Sequence, residues 1–404
     1  MMNSTSTRSS IKLNDLTRFL TGWILVLVGG ILLDIDVIAQ NTRPLDLRDN
    51  LKLARTIDLS NEELSQAKFT ERNEVFVSTR NRVTKEWAFY KGDAKHVFSP
   101  CSNNKYIGGT INRDGARLAI GCEDFSVEIW NLNTGRRQIR FNVQNPAKSL
   151  DYLIPYISPD GRSAVTQFYE TAELWDVVTG TKIADLDSSA SSCNCNRTVY
   201  AVEFSPDQKV AAIAFGGMVF LWNIETGKLL NRLIDKDLDY FANLVLTDGG
   251  TVRQLLFSRD GTTIITGSGV GIAKSWNVKT GELLRIFKGH KLGVTSLALS
   301  PDEKVLATGS RNQDVKLWDM VTGKQLFSLN NRKEVRRLSF HPDGTRLLSM
   351  TSTHAFIWER ASGKLLEEMP IADVFTTSFS PDWKFVITPD KKTKNLGLYE
   401  YVGK

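Results

Sequence analysis

The side chains that could do chemistry are few and scattered. Four histidines (His96, His290, His341, His354) and four cysteines (Cys101, Cys122, Cys193, Cys195) are spread over 404 residues. A closed metal site wants about four converging ligands. The Cys193–Asn194–Cys195 stretch has no histidine near it and offers half a site at most. Asp235, Asp237 and Asp239 alternate as in a calcium loop, but Tyr240 and Leu246 stand where that loop needs glycine and glutamate. A longer series, Asp114, Asp160, Asp207, Asp260, Asp302, Asp343 and Asp382, could make a carboxylate cluster, yet most of its members follow a proline. That placement is turn chemistry, with the carboxylate accepting backbone hydrogen bonds. There is no phosphate-cradling glycine loop, no metalloprotease helix and no nucleophile elbow. No catalytic, metal-binding or cofactor-binding residue is expected.

The elements that carry these residues repeat. Trp87, Trp130, Trp175, Trp222, Trp276, Trp318 and Trp358 are each followed five residues later by glycine. At about 7 % average glycine usage, that coincidence has odds of about one in 10⁸. An apolar residue starts a turn 18 or 19 residues before each of these tryptophans, as Phe204 does before Trp222. An eighth unit runs from Phe379, with Leu398 and Gly403 in the tryptophan and glycine places. Within residues 294 to 329 the chain reads as four short strands. Val294 to Leu299 alternates, Pro301-Asp302 turns, Val305 to Gly309 is apolar, Val315 to Trp318 alternates, and Thr322-Gly323 turns into Gln325 to Leu329. Four antiparallel strands repeated at this period describe propeller blades.

These residues resemble a known family. The stretch SPDEKVLATGSRNQDVKLWDMVTGK (300 to 324) is similar to a WD repeat, as are the stretches ending LWDVVTGTK and LWNIETGK. The resemblance covers roughly residues 50 to 404 and implies a β-propeller used as a protein-interaction platform, of an exported, bacterial type. The family's Gly-His pair occurs once, at Gly289-His290. The family's buried hydrogen-bond network is nearly matched only there, by His290, Ser310, Asn312 and Trp318, so packing alone is expected to hold most other blades. Aligned on that unit, Cys101 takes the place of Gly289 and Cys122 that of Ser310. Those positions adjoin in a WD-like blade, which makes a Cys101–Cys122 disulfide the expected pairing; Cys193 and Cys195 are left open.

The ends set the count. The chain stops just after a third strand of unit eight, and residues 52 to 59 read as a spare strand. Pairing the two gives an all-β, eight-bladed propeller closed by an N-terminal strand, with seven blades as the alternative. Before it, Arg8, Lys12 and Arg18 lead into an uncharged apolar run from Phe19 to Leu33. This fits a signal peptide over 1–39, with an uncleaved anchor as the alternative, and a polar lead over 40–50 before the propeller at 51–404. The expectation is therefore a secreted or periplasmic protein, or a membrane-anchored one facing outward. A net charge of +6 and a pI near 9.0 could suit nucleic acid, but export argues against that partner. Arg80, Arg82 and Lys85 in unit one and Lys391, Lys392 and Lys394 in unit eight would meet if the ring closes. They form a candidate basic seam for an acidic protein partner. The membrane would enter only through the N-terminal segment. A channel-based enzyme or small-ligand binder is the alternative function.

Overall fold

The computed structural model describes residues 51–401, except 58–62, 70–73, 81–84, 92–93, 99, 102–105, 113, 144–152, 168–170, 187–197, 235–249 and 390–394. The chain divides into two units, Met1–Arg43 and Pro44–Lys404, and the described residues all belong to the second. The expected signal segment and polar lead lie outside them. Among the described residues no helix is long and apolar enough to cross a membrane.

The described chain is all β, arranged as eight four-stranded antiparallel sheets in the manner of a β-propeller. Their leading strands are Glu63–Phe69, Tyr106–Ile111, Ile154–Ile157, Val199–Phe204, Val252–Phe257, Val294–Leu299, Arg337–Phe340 and Ser378–Phe379. Seven sheets use strands consecutive in the chain. The eighth adds Leu51–Ile57 from the far end, antiparallel to Leu396–Tyr401, with Leu51 opposite Tyr401 and Ile57 opposite Leu396. This is the pairing expected of the spare strand.

The repeated residues account for the repeated geometry. The glycine five after six of the tryptophans, Trp130 to Trp358, turns the chain with positive φ, 73° at Gly323 and 74° at Gly281. Only glycine takes that conformation without a Cβ clash. The Gly323 N–H donates to the Asp319 carbonyl at 2.8 Å, closing the turn. In the preceding turn, the Ser300 hydroxyl donates to Asp302 Oδ1 at 2.6 Å, and the same oxygen accepts the Lys304 N–H at 3.2 Å. Ser205–Asp207, Ser258–Asp260 and Ser380–Asp382 repeat the arrangement. These aspartates are occupied by the backbone and form no cluster.

The core lies between neighbouring sheets. Val127, Ile129 and Phe141 of the second sheet pack on Leu153, Ala164 and Trp175 of the third, and the Phe141 and Trp175 rings stack at 4.5 Å. From Trp130 to Trp358, the position three before the tryptophan is small because a neighbouring sheet presses on it. Val127, Ala172, Val219, Ala273, Val315 and Ala355 are all at most 1 % exposed. Side chains clasp adjacent sheets at the turns as well. Arg360 donates to Asp302 at 2.8 Å, Asn112 to the Pro159 carbonyl at 3.0 Å, and Arg259 N–H to Glu303. The leading strands of the second and third sheets, and of the fourth to seventh, pack on one another in sequence, and the first meets the eighth unit, where Ala67 N–H donates to the Phe375 carbonyl at 3.2 Å.

Candidate functional site

Four sheets hold their tryptophan with a hydroxyl. The indole N–H donates from Trp175 to Thr166 (3.0 Å), from Trp276 to Thr266 (3.0 Å), from Trp318 to Thr308 (2.8 Å) and from Trp358 to Ser349 (2.8 Å). The network expected of His290, Ser310, Asn312 and Trp318 is therefore drawn differently. His290 Nε2 lies 2.6 Å from the Thr308 hydroxyl, and His290 Nδ1–H donates to Asp314 Oδ1 at 2.5 Å. Strand alternation explains the shift. Thr308 and Ser310 share a face, but Trp318 sits opposite Leu306, and Thr308 is the nearer hydroxyl. Ser310 ends its strand and donates to the Leu292 and Gly293 carbonyls. Asn312 takes no part in the link from histidine to indole; its backbone N–H donates to Ser310. Burial works against ionisation of Asp314, yet His290, Asn312 and Lys316 together hold its carboxyl below the ordinary range. Nor is packing alone the rule elsewhere. Asn331 takes the histidine's place in the seventh sheet, donating to Ser349 at 2.6 Å. The second sheet uses Glu128, which accepts the Trp130 indole N–H at 3.0 Å.

Cys101 and Cys122 meet beside that glutamate, with sulfurs 1.90 Å apart and Cα atoms 5.6 Å apart. Glu128 also accepts the Cys101 N–H at 3.0 Å and an Arg137 N–H at 2.8 Å. With both sulfurs joined and the carboxylate occupied, these residues form a structural knot and no open metal site. Of the candidate seam, Arg82, Lys391, Lys392 and Lys394 lie outside the described residues. Arg80 and Lys85 are placed only as partners across the hairpin of Val75–Arg80 and Lys85–Lys91. Cys193, Cys195 and the 235–249 loop also lie outside. Of the histidines, His341 lies 2.8 Å from Asp343, and its ring packs edge-on against Trp383. His354 bonds the Thr353 hydroxyl.

Two cavities lie along the leading strands, at opposite ends. The larger, about 630 Å³, sits at their C-terminal ends beside Pro159, Pro206 and Pro301. Its walls mix apolar side chains such as Leu256, Leu297 and Phe340 with polar ones, among them Glu203, Glu303 and Arg259. The smaller, about 350 Å³, opens at the N-terminal ends and is lined by Arg253, Arg311, Arg336 and Arg337 with Glu334. No histidine lines either.

The basic end is built by a backbone device. The leading strand of the fourth, fifth and sixth sheets each carries one extra residue against its neighbour, namely Tyr200, Arg253 and Thr295. A bulge of this kind re-aims a side chain out of the ladder, and all three line the cavity. Each stands five residues before the serine of its turn, as Arg336 stands before His341 and Phe375 before Ser380. The Arg253 guanidinium lies 5.4 Å over the Tyr200 ring and donates to the Thr251 hydroxyl. Glu334 takes Arg336 at 2.8 Å and Arg311 at 3.9 Å. Burial pulls the Arg337 guanidinium down from its usual range, opposed by Asp373 at a distance. Phe375 stands 55 % exposed at the rim.

Comparison with known proteins follows from this geometry. Residues 281–319 match the WD domain, G-beta repeat family. Eukaryotic translation initiation factor 3 subunit I of Aspergillus fumigatus is 34% identical over 101 residues, 25% of this chain and 30% of that protein. The protein of the same name from Bombyx mori is 27% identical over 240 residues, 57% of this chain and 68% of that one. Telomerase protein component 1 of Rattus norvegicus is 29% identical over 190 residues, 46% of this chain but 7% of its own. The chain thus spans about 30% of the length of the first curated relatives it matches. The crystal structure of the computationally designed Ika8 protein shares the fold, with a TM-score of 0.65, 19% identity, and coverage of 87% of this chain and 99% of that one.

These relatives correct the expectation of an exported, bacterial-type protein. They come from eukaryotes, and translation initiation is a cytoplasmic process, so a secreted, periplasmic or outward-facing location is not retained. The inference failed because a short apolar run behind basic residues is a compositional signal that the folded repeats do nothing to test. The matches identify a WD repeat at residues 281–319 and make the chain similar to translation initiation factor 3 subunit I over up to 57% of its length.

Proposed function

We propose that this chain is an eight-bladed propeller, closed by pairing its two ends, that serves as a rigid platform for protein partners, one of them acidic where it docks. The observation that carries the reading is the core packing that runs from the second sheet through to the eighth and from the eighth to the first, together with the antiparallel pairing of Leu51–Ile57 and Leu396–Tyr401. A ring so clasped holds its rims in place before a partner arrives. Docking then orders few residues, and modest contacts suffice. The word "subunit" in the relatives' names fits a protein that works inside an assembly. In the same reading the Cys101–Cys122 pair is a structural disulfide that secures the second sheet, and Asp314, His290, Thr308 and Trp318 secure the sixth.

The test is the size of the native chain. Tagged at its C-terminus in its own cells, it is expected to migrate in a salt-sensitive assembly far larger than its own 45.3 kDa. Migration as a free monomer, with no protein retained near stoichiometrically, would overturn the platform reading. Salt sensitivity reports the acidic contact, since screening weakens exposed charge pairs beyond about 8 Å at physiological ionic strength.

A further inference from the structure

We infer that the basic end of the channel is a binding site for an acidic peptide segment, whose carboxylates are taken by Arg253, Arg336 and Arg337 while an adjacent apolar side chain packs on Phe375. The inference rests on the platform reading and gives it a location. Three observations converge on it. First, the bulges recur at one place in successive sheets and turn Tyr200, Arg253 and Thr295 out of the ladder. The same extra residue occurs in the leading strands of the first and second sheets, so the bulge supplies a position outside the ladder and the residue type supplies the charge.

Second, charge is out of balance there. Among the described residues, four guanidinium groups and one glutamate line a cavity of about 350 Å³. Glu334 is shared between Arg336 and Arg311. Arg337 is half-buried, points into the cavity and has no ion-pair partner within 4 Å among the described residues. Asp373 offsets its charge only from beyond ion-pair distance, and a carboxylate brought into contact by a ligand relieves more of the cost of burying a guanidinium. Arginine suits the task, because its planar fork can take a carboxylate with two parallel N–H bonds.

Third, the shape and the distribution of the cations choose the ligand. The cavity is at the small end of the roughly 300–1,000 Å³ that ligand clefts occupy, which suits one chain segment and not a globular face. The arginines converge on one opening on the fifth to seventh sheets; the equivalent places in the second and third hold Ile107 and Leu153. A single-stranded nucleic acid wants a basic groove that tracks its backbone and several free aromatic faces. The Tyr200 ring is already covered by Arg253, which leaves Phe375 as the exposed ring at this rim. An acidic peptide with one apolar residue matches what remains.

The experiment uses the full chain and a fluorescein-labelled dodecapeptide of alternating Asp and Glu with one central Trp, read by anisotropy. The controls are the same peptide with Asn and Gln, and a single-stranded oligouridine of similar length. The acidic peptide is expected to bind, with affinity falling as salt rises. Binding is expected to weaken about 10-fold or more in the R253Q/R336Q double variant and to stay unchanged in K384Q, which lies at the other end of its strands. Both substituted arginines are at the rim, and unchanged melting curves would show that the variants fold. The inference is overturned if the wild-type chain binds no acidic peptide, if the amide peptide binds as well, if the oligouridine binds more tightly, or if R253Q/R336Q binds as wild type does. Its failure is separable from that of the platform reading. A chain that binds no acidic peptide but still enters a large native assembly would discard this site and keep the platform.

Discussion

Thr308 is the residue whose loss the structure prices most clearly. Its hydroxyl is fully buried, accepts the Trp318 indole N–H at 2.8 Å and meets His290 Nε2 at 2.6 Å. Thr308→Val keeps the shape and removes the oxygen. Two polar groups then have no partner, on a tryptophan 2% exposed and a histidine side chain 1% exposed. Each buried orphan costs about 1–3 kcal/mol, so the substitution is expected to destabilise by about 2–5 kcal/mol. Ser310→Ala removes a hydroxyl that donates only to backbone carbonyls, and about 1 kcal/mol is expected. Urea midpoints at constant slope measure both, and a double-mutant cycle with Trp318→Phe isolates the shared term. A loss below about 0.5 kcal/mol for Thr308→Val, typical of an unremarkable surface site, would refute this account of the network. So would a larger loss for Ser310→Ala than for Thr308→Val.

Other outcomes follow from the same geometry. Burial opposes ionisation of Asp343, but Thr345 and His341 hold its carboxyl at about 2, below the ordinary 3.8. A depressed carboxyl stabilises fully above its unfolded pKa and loses that contribution as pH falls through the folded one. The urea midpoint should therefore hold steady down to about pH 4 and fall towards pH 2, less steeply in Asp343→Asn; equal slopes would remove Asp343 from the account. Deleting residues 1–57 strips the partner from Leu396–Tyr401 and bares a strand edge, so light scattering should detect association absent from the full chain. Reduction of the Cys101–Cys122 bond, which spans 21 residues, should cost about 3 kcal/mol by loop entropy. A urea midpoint indifferent to reductant would count against a structural role for the bond. In the fourth sheet the Trp222 indole N–H is buried without a partner, and Ile213 stands where its neighbours have serine or threonine. Ile213→Thr should cost under about 1 kcal/mol by urea, because the new hydroxyl finds a donor waiting; a loss of about 3 kcal/mol, as for an unpaired buried hydroxyl, would contradict this.

The framework was legible because it rests on residues with one physical use. Glycine five after tryptophan marks a positive-φ turn, Ser-Pro-Asp marks a turn closed by its own carboxylate, and Lys52 to Leu59 had the look of a strand in need of a partner. The Cys101 and Cys122 positions came together because the repeats align without gaps. Less legible was anything that depended on which of two like residues is nearer. Thr308 and Ser310 are both hydroxyls on one face of one strand, and only the placement of Trp318 opposite Leu306 separates them. The hydroxyl nine or ten residues before Trp175, Trp276 and Trp358 is the sequence signal of the same contact. The basic channel end was hidden for a different reason. Its arginines lie from Arg253 to Arg337 in the chain, each looking like an ordinary solvated charge, and only the ring gathers them.

That gathering explains how such a fold separates stability from recognition. Tryptophan, glycine and the small residue three before tryptophan leave little choice, because each meets a neighbouring sheet or a turn. The bulged residue of the leading strand meets its neighbours only at the rim, where Arg253 lies over Tyr200 and Thr295 donates to the Val335 carbonyl. Its backbone position recurs from sheet to sheet, yet its side chain is tyrosine in one, arginine in the next and threonine in a third. A position fixed in space and unconstrained in chemistry is where a repeat protein can vary its ligand without disturbing its core. The charge imbalance at this end of the channel arises at such positions and at the loops beside them. The other end, where the turns consume their own aspartates, is lined by Glu203, Glu303 and Arg259 and is not basic. Recognition by this chain is therefore expected to follow the residue five before each turn, and to be indifferent to the tryptophans that made the ring visible.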